Sequence, residues 1–271
     1  MEKQKELAPD LFEHIPERAY TRKMFGYLYA YKHGYTAIYD TDDDNVFKGG
    51  LSCPDMNTVN QTVTSAGFNN IYNMFTDKHI WPRGIPPGHP SINEFPVIAQ
   101  TESMPCAVVQ GLVDNDPDVD AYYRINISDK PFVFEKSHTD VALGRYAVCP
   151  FNTQNTFWID RTEWYHMYLP ITVTFRYTDI LRGVISLYQL WKNNKTLLFT
   201  GATAIQERNV HDLQKDLEQE QPMYDTITQV IGLLTTHANA SLLDVYKVLE
   251  VNGVVTAAEL ECLTVWLSYF D

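Results

Sequence analysis

Tyr35-Thr36-Ala37-Ile38-Tyr39-Asp40-Thr41-Asp42-Asp43-Asp44-Asn45 carries the strongest signal in this chain. Thr36 to Tyr39 is short, apolar and β-prone, and reads as a buried strand. The strand runs straight into four aspartates within five residues, Asp40, Asp42, Asp43 and Asp44. Carboxylates this close repel one another unless a cation neutralises them. A hard divalent ion with oxygen ligands, Mn²⁺ or Mg²⁺, is the natural partner. Acidic ligands at the carboxyl end of a strand are placed as α/β sheets place their ligand sites. A solvated acidic turn is the competing reading. A calcium EF-hand is not: after Asp40, Asp42 and Asp44, the sixth position is Asn45 instead of Gly and the twelfth is Leu51 instead of Glu.

The rest of the chain frames that signal. Its 271 residues are 45% hydrophobic, enough for one large core or a main domain with an appendage. Seventeen tyrosines and five tryptophans suit surfaces that stack on sugars, although an aromatic core would absorb most of them. A net charge of −13 repels phosphate backbones and anionic lipid, which excludes general nucleic-acid or membrane-surface binding. A nucleotide remains an acceptable ligand if a metal and local arginines override the field. Cys53, Cys106, Cys149 and Cys262 have no metal-site or redox spacing and read as buried free thiols. The charged Met1 to Glu6 start is no signal peptide, and no run approaches the ~20 apolar residues of a membrane span. The expected location is cytoplasmic.

Residues 1–16 read as a loose lead-in. A helix is expected over 18–33, with Met24, Leu28 and Tyr31 as its apolar stripe and Gly34 as its stop. Residues 45–70 look like loop, and Trp81 to Gly88 is a stiff Pro/Gly segment that cannot be helix. Strands are expected over 97–100, 107–112, within 147–158 and over 169–175. A helix over 178–192 follows, entered at Thr178-Asp179. From about 204 the pattern becomes helical, over 207–220, 223–236, 241–250 and 256–270. The fold class is therefore α/β, with residues 1–203 as the main domain and 204–271 as a helical cap packed on it.

Two more acidic positions could carry chemistry. Asp114 to Asp120 is a second acidic loop, in which turn formation competes with Asp118 or Asp120 lining the same cleft. Asp179 falls in the expected first turn of a helix, with Arg182 on the same face. It is either a helix-start carboxylate favoured by the dipole or a base, with Arg182 facing an anion. Trp81 to Gly88 is a structural turn or the rigid wall of a sugar pocket. No HExxH, GxSxG, Walker or GxGxxG pattern is present.

Taken in order, the motifs resemble one family. They are Arg22-Lys23 with Gly26-Tyr27-Leu28, then Gly34, Ile38 to Asn45, Trp81-Pro82-Arg83-Gly84 and Gln110-Gly111. They continue with Pro117 to Ala121, Tyr123-Arg124, Asn152 to Trp158, Leu169-Pro170, Asp179 to Gly183 and Gln189-Leu190-Trp191. This series, over roughly 18–271, is similar to the STELLO-type glycosyltransferases. It is more distantly similar to reversibly glycosylated polypeptides and UDP-arabinopyranose mutases.

The resemblance implies a GT-A-like α/β fold, a nucleotide-sugar donor (UDP-linked) and a glycan or glycoprotein acceptor. It puts the DxD element on Asp42 and Asp44 as ligands of Mn²⁺ or Mg²⁺, supported by Asp40 and Asp43. Asp179, or failing it Asp118 or Asp120, would take the acceptor proton. Asp179 in that role would favour inversion. Arg83, Arg124 and Arg182 are the candidates for diphosphate charge, and Trp81 for the donor wall. Such folds carry a first β-α-β segment ahead of this point, whereas the residues before Arg22 show no strand pattern. The alternatives are a non-catalytic partner of glycan-synthesis enzymes and a nucleotide-sugar mutase.

Overall fold

A computed structural model of the chain describes residues 1–49, 58–136, 140–207 and 212–270. Cys53 and Leu51 lie outside them. The lead-in is helical: α1 (Glu2–Leu7) and α2 (Pro9–His14) pack through Ala8 and Leu11, both fully buried. Pro9 opens α2, where its missing amide costs nothing. Arg18 has a positive φ of 57°, so the helix expected from residue 18 cannot start there. A 3₁₀ turn (Tyr20–Arg22) leads into α3 (Lys23–Lys32), which buries Met24, Phe25, Tyr27 and Leu28.

β1 (Ile38–Thr41) ends on the aspartate turn. The stretch read as loop holds three strands instead, β2 (Asn45–Phe47), β3 (Thr58–Val63) and β4 (Gly67–Phe68). The two strands expected over 97–112 are one 17-residue strand, β5 (Ile98–Asp114). Then come α4 (Ala121–Asn126), β6 (Val141–Leu143), β7 (Ala147–Val148) and β8 (Asn155–Trp158). After α5 (Phe175–Lys192) runs β9 (Thr196–Gln206), which the sequence reading did not contain. The helices α6 (Leu213–Thr236), α7 (Leu242–Val251) and α8 (Ala257–Leu267) complete the chain.

The fold is mixed α/β, in keeping with the GT-A-like expectation. The main sheet has the order β1-β8-β5-β3-β6-β9-β2, with β5 also pairing β9. β5 is antiparallel to β3 and β8 but parallel to β9. It changes partner near the exposed Pro105, which lacks the amide a continuous ladder would need. Such a parallel pair requires a long crossover, and the segment containing α5 supplies it.

α5 packs against β9 and α6 and is buried continuously from Tyr177 to Trp191. Gly183 lets it approach the chain at Phe151, whose carbonyl a Cβ would strike. Trp158, Trp164 and Trp266 are buried in the core, as is α5's own Trp191.

Three expectations change here. Residues 169–174 form no strand, because the amides of Ile171 and Thr172 are taken by the Glu259 carboxylate. α5 starts at Phe175, so Asp179 lies in its second turn and not its first. The two helices expected over 207–236 are one helix with Pro222 inside it, and the helical region starts at Leu213, beyond β9. Cys106, Cys149 and Cys262 are free and buried, and burial pushes each thiol up to about 12. No described helix is long and apolar enough to cross a membrane.

Candidate functional site

A cavity of about 270 Å³ opens where the aspartate turn after β1 meets the 116–120 loop and the start of α5. Six aspartates line it: Asp42, Asp43, Asp44, Asp116, Asp118 and Asp179. Three arginines join them, Arg83, Arg124 and Arg176. Carboxylates outnumber guanidinium groups on this wall, which favours a cation and disfavours an unaccompanied anion.

On the turn, Asp40 points inward and is 3% exposed. It accepts from Tyr27 Oη at 2.7 Å and from Lys23 Nζ at 3.1 Å. Lys23 Nζ also donates to Asp42 at 3.2 Å. Burial raises the Asp42 carboxyl to about 6; Lys23 opposes this, while Asp179 and Asp40 add to it. Burial thus disfavours the ionised form of Asp42, whose cation partner Lys23 is shared with Asp40. Asp44 accepts from Gln206 Nε2 at 2.8 Å, which ties the turn to the end of β9.

Arg83 is the hub of the opposite wall. Its Nε and Nη2 donate to the two Asp118 oxygens at 2.8 and 3.1 Å. Its Nη2 and Nη1 donate to the two Asp179 oxygens at 2.9 and 3.2 Å. Burial alone would raise the Asp118 carboxyl, but the Arg83 charge and hydrogen bonds, with Arg176 and Asn152, hold it below the usual carboxylate range. The Trp81-Pro82-Arg83-Gly84 segment explains this placement. Trp81 anchors in the core and Arg83 reaches the cavity two residues on. Gly84 turns with a φ of 101° and lies so close to Pro150 and Ile180 that a Cβ would sit 2.8–2.9 Å from them.

Three other sequence candidates, Asp120, Trp81 and Arg182, do not reach the cavity. Asp120 caps α4, accepting from the Tyr123 amide at 2.6 Å, Trp81 Nε1 at 2.8 Å and Tyr224 Oη at 3.0 Å. Burial raises its carboxyl to about 6, yet it is fully buried behind the wall. Trp81 is likewise buried, edge-on to Tyr123, and forms no part of the cavity lining. Arg182 is a core cation. It donates to the Asn152 carbonyl at 2.9 Å and lies 5.3 Å from the ring centres of both Phe151 and Trp158. Arg124 does line the cavity, 2.7 Å from Asp116.

Probable glycosyltransferase STELLO2 of Arabidopsis thaliana is 26% identical over 301 residues, spanning 98% of this chain and 38% of the relative. Probable glycosyltransferase STELLO1 of the same plant is 28% identical over 216 residues, spanning 71% of this chain and 27% of the relative. The chain is a homologue of the STELLO-type proteins. It covers well under half the length of either. No family model matches it.

The oxygen donors of the cavity fit a hard divalent ion in a specific way. Asp42, Asp43 and Asp44 offer oxygen ligands to one cavity, and Lys23 is shared between Asp42 and Asp40. Among the described residues no group of three His, Cys, Asp or Glu side chains forms a ready-made metal cage. The arrangement suits a two-carboxylate anchor whose other ligands come from substrate oxygens and water, the usual habit of Mg²⁺.

Sequence reasoning missed Arg176, Tyr20, Phe175 and Gln206. Arg176 precedes Asp179 by three residues, one helical turn, which was the available signal. Tyr20 and Phe175 pair edge to face with ring centres 5.2 Å apart, and Phe175 is 56% exposed at the start of α5. No local pattern distinguishes either ring from a core aromatic.

Proposed function

We propose that this chain holds the catalytic site of a metal-dependent glycosyltransferase. It would move a sugar, a pentose such as xylose or a hexose, from a UDP-linked donor to a hydroxyl of a glycan or glycoprotein. One observation supports the reading above all: the Asp42-Asp43-Asp44 turn shares a cavity with Asp118 and Asp179, from two distant parts of the chain. The names of the two relatives agree at the level of reaction class.

Asp42 and Asp44 would hold Mn²⁺ or Mg²⁺, which supplies Lewis-acid stabilisation of the leaving nucleoside diphosphate. Asp179 is assigned the acceptor hydroxyl proton. It lines the cavity, and two hydrogen bonds from Arg83 fix its carboxylate, as a base must be fixed. Asp118, gripped by the same arginine and also by Asn152 Nδ2 at 2.7 Å, is the second candidate for that proton. Tyr20 and Phe175 offer a wall on which a sugar ring can stack.

Calorimetry tests this directly, with UDP, UDP-xylose, UDP-glucose and UDP-galactose in Mn²⁺ and then in EDTA. Binding of one donor that vanishes with EDTA is expected. Failure of every donor to bind overturns the reading. Asp42→Ala and Asp44→Ala should each weaken that binding by at least about tenfold without lowering the melting temperature. Unchanged binding in both variants removes the metal assignment.

A further inference from the structure

The three guanidinium groups on the cavity wall differ in how fully they are engaged. Arg83 is forked onto both Asp118 and Asp179. Arg124 faces Asp116 at 2.7 Å and Asp129 at 3.5 Å, and donates to the Pro117 carbonyl at 3.0 Å. Arg176 directs Nε and Nη2 to a single oxygen, Glu220 Oε1, at 3.0 and 2.7 Å. Its Nη1 has no hydrogen-bond partner among the described residues.

Glu220 lies on α6 and is completely buried. Its other oxygen accepts the amide of Ala121 at 2.8 Å. Ala121 is the first residue of α4 and follows directly on the cavity loop that carries Asp116 and Asp118. One carboxylate therefore joins the start of α5 to the end of that loop. Two further bonds reinforce the seam: Thr174 Oγ1 donates to the Gln219 carbonyl at 2.6 Å, and Tyr224 Oη donates to Asp120. The helical C-terminal region thus sets the aim of a cavity cation.

We propose that Arg176 is the anion-binding residue of this cavity and that Glu220 is the positioning residue that aims it. The inference rests on the nucleotide-sugar reading and deepens it: the free edge of Arg176 receives the diphosphate opposite the metal carboxylates. A guanidinium gripped on one edge presents the other in a fixed plane, which suits the oxygens of a diphosphate.

Charge and orientation predict opposite signs for the loss of Glu220. Removing an anion from beside the cavity would strengthen diphosphate binding if charge alone mattered. Losing the aim of Arg176 would weaken it. Calorimetry with UDP and Mn²⁺, and in parallel with inorganic pyrophosphate and Mg²⁺, reads the sign. Arg176→Gln should weaken both ligands by about tenfold or more. Glu220→Ala should weaken them comparably in the wild-type background and add nothing in the Arg176→Gln background. Glu220→Gln, which keeps an acceptor oxygen, should fall between and stands in if Glu220→Ala melts below the assay temperature.

Wild-type affinity in Arg176→Gln overturns the proposal. So does tighter binding in Glu220→Ala, or an equal loss in both backgrounds, which would mark a purely structural role. Wild-type protein that binds pyrophosphate but not UDP sinks the nucleotide-sugar reading and leaves Arg176 to be judged on pyrophosphate. Protein that binds neither sinks both.

Discussion

Two buried glutamates of the C-terminal helices make an instructive pair. Glu220 on α6 and Glu259 on α8 are both fully buried, and both hold the chain around the entry to α5. Their partners differ. Glu259 is held by neutral donors: Tyr168 Oη at 2.5 Å, the amides of Ile171 and Thr172, each at 2.9 Å, and Thr172 Oγ1 at 2.7 Å. None of those residues lines the cavity. Glu220 grips a cation that does. A buried carboxylate satisfied by neutral donors fixes a loop. The same carboxylate set against a cavity arginine transmits the position of a helix to a ligand site.

This contrast can be broken at the chemistry end first. Asp179→Asn, on the cavity side of α5, should cost about 10²–10⁴ in transfer rate while UDP affinity holds. Asp118 still neutralises Arg83 in that variant, so unfolding free energy should fall by no more than about 2 kcal/mol. Full transfer activity would remove Asp179 as the base. Glu259→Ala is the mirror experiment. It strands four donors, three of them on the half-buried Ile171 and Thr172, and should cost about 4 kcal/mol, roughly 10³ in the folding equilibrium, as read by urea unfolding. Its UDP affinity, measured where it remains folded, should match wild type. A changed affinity would erase the distinction between the two seams.

A pH experiment sharpens the α6 seam further. Asp120, bonded to Tyr224, is raised by burial to about 6 from an ordinary value near 3.8, with the Glu220 charge adding to the rise. The folded state therefore binds this proton more tightly than the unfolded state. The stabilisation is full below about pH 4 and is lost as pH climbs through 6, at most about 3 kcal/mol. Asp120→Asn should remove that term. Its melting temperature relative to wild type should rise between pH 4 and pH 7, and a constant offset would contradict the assignment.

What could be read from the sequence was local. The Ile38 to Asp44 signal needs only a short apolar run followed by carboxylates that repel, and the structure places that turn on the cavity. The α/β class followed from alternating patterns. The Arg83 hub was hidden because its partners Asp118 and Asp179 lie 35 and 96 positions away. The choice between Arg176 and Arg182 was hidden for a different reason. Arg176 and Arg182 each lie one helical turn from Asp179 on the same stripe of α5, so spacing alone does not show which of them meets the cavity. β9 escaped because Gly201 and the small residues around it blunt its strand pattern. The lead-in helices escaped because each is six residues long and mostly solvent-facing.

The double allegiance of β5 has a consequence for synthesis. Its parallel partner arrives late: Cys106 pairs with Thr196, 90 residues further on. At about 5–20 residues per second a ribosome needs several seconds to cover that interval. Meanwhile the β5 edge destined for β9 stays open, on a strand rich in valine and leucine. Nascent chains ending before Thr196 would then be the sticky ones. The birth of this protein includes a waiting period, which a chaperone able to cover one bare strand edge would shorten or make safe.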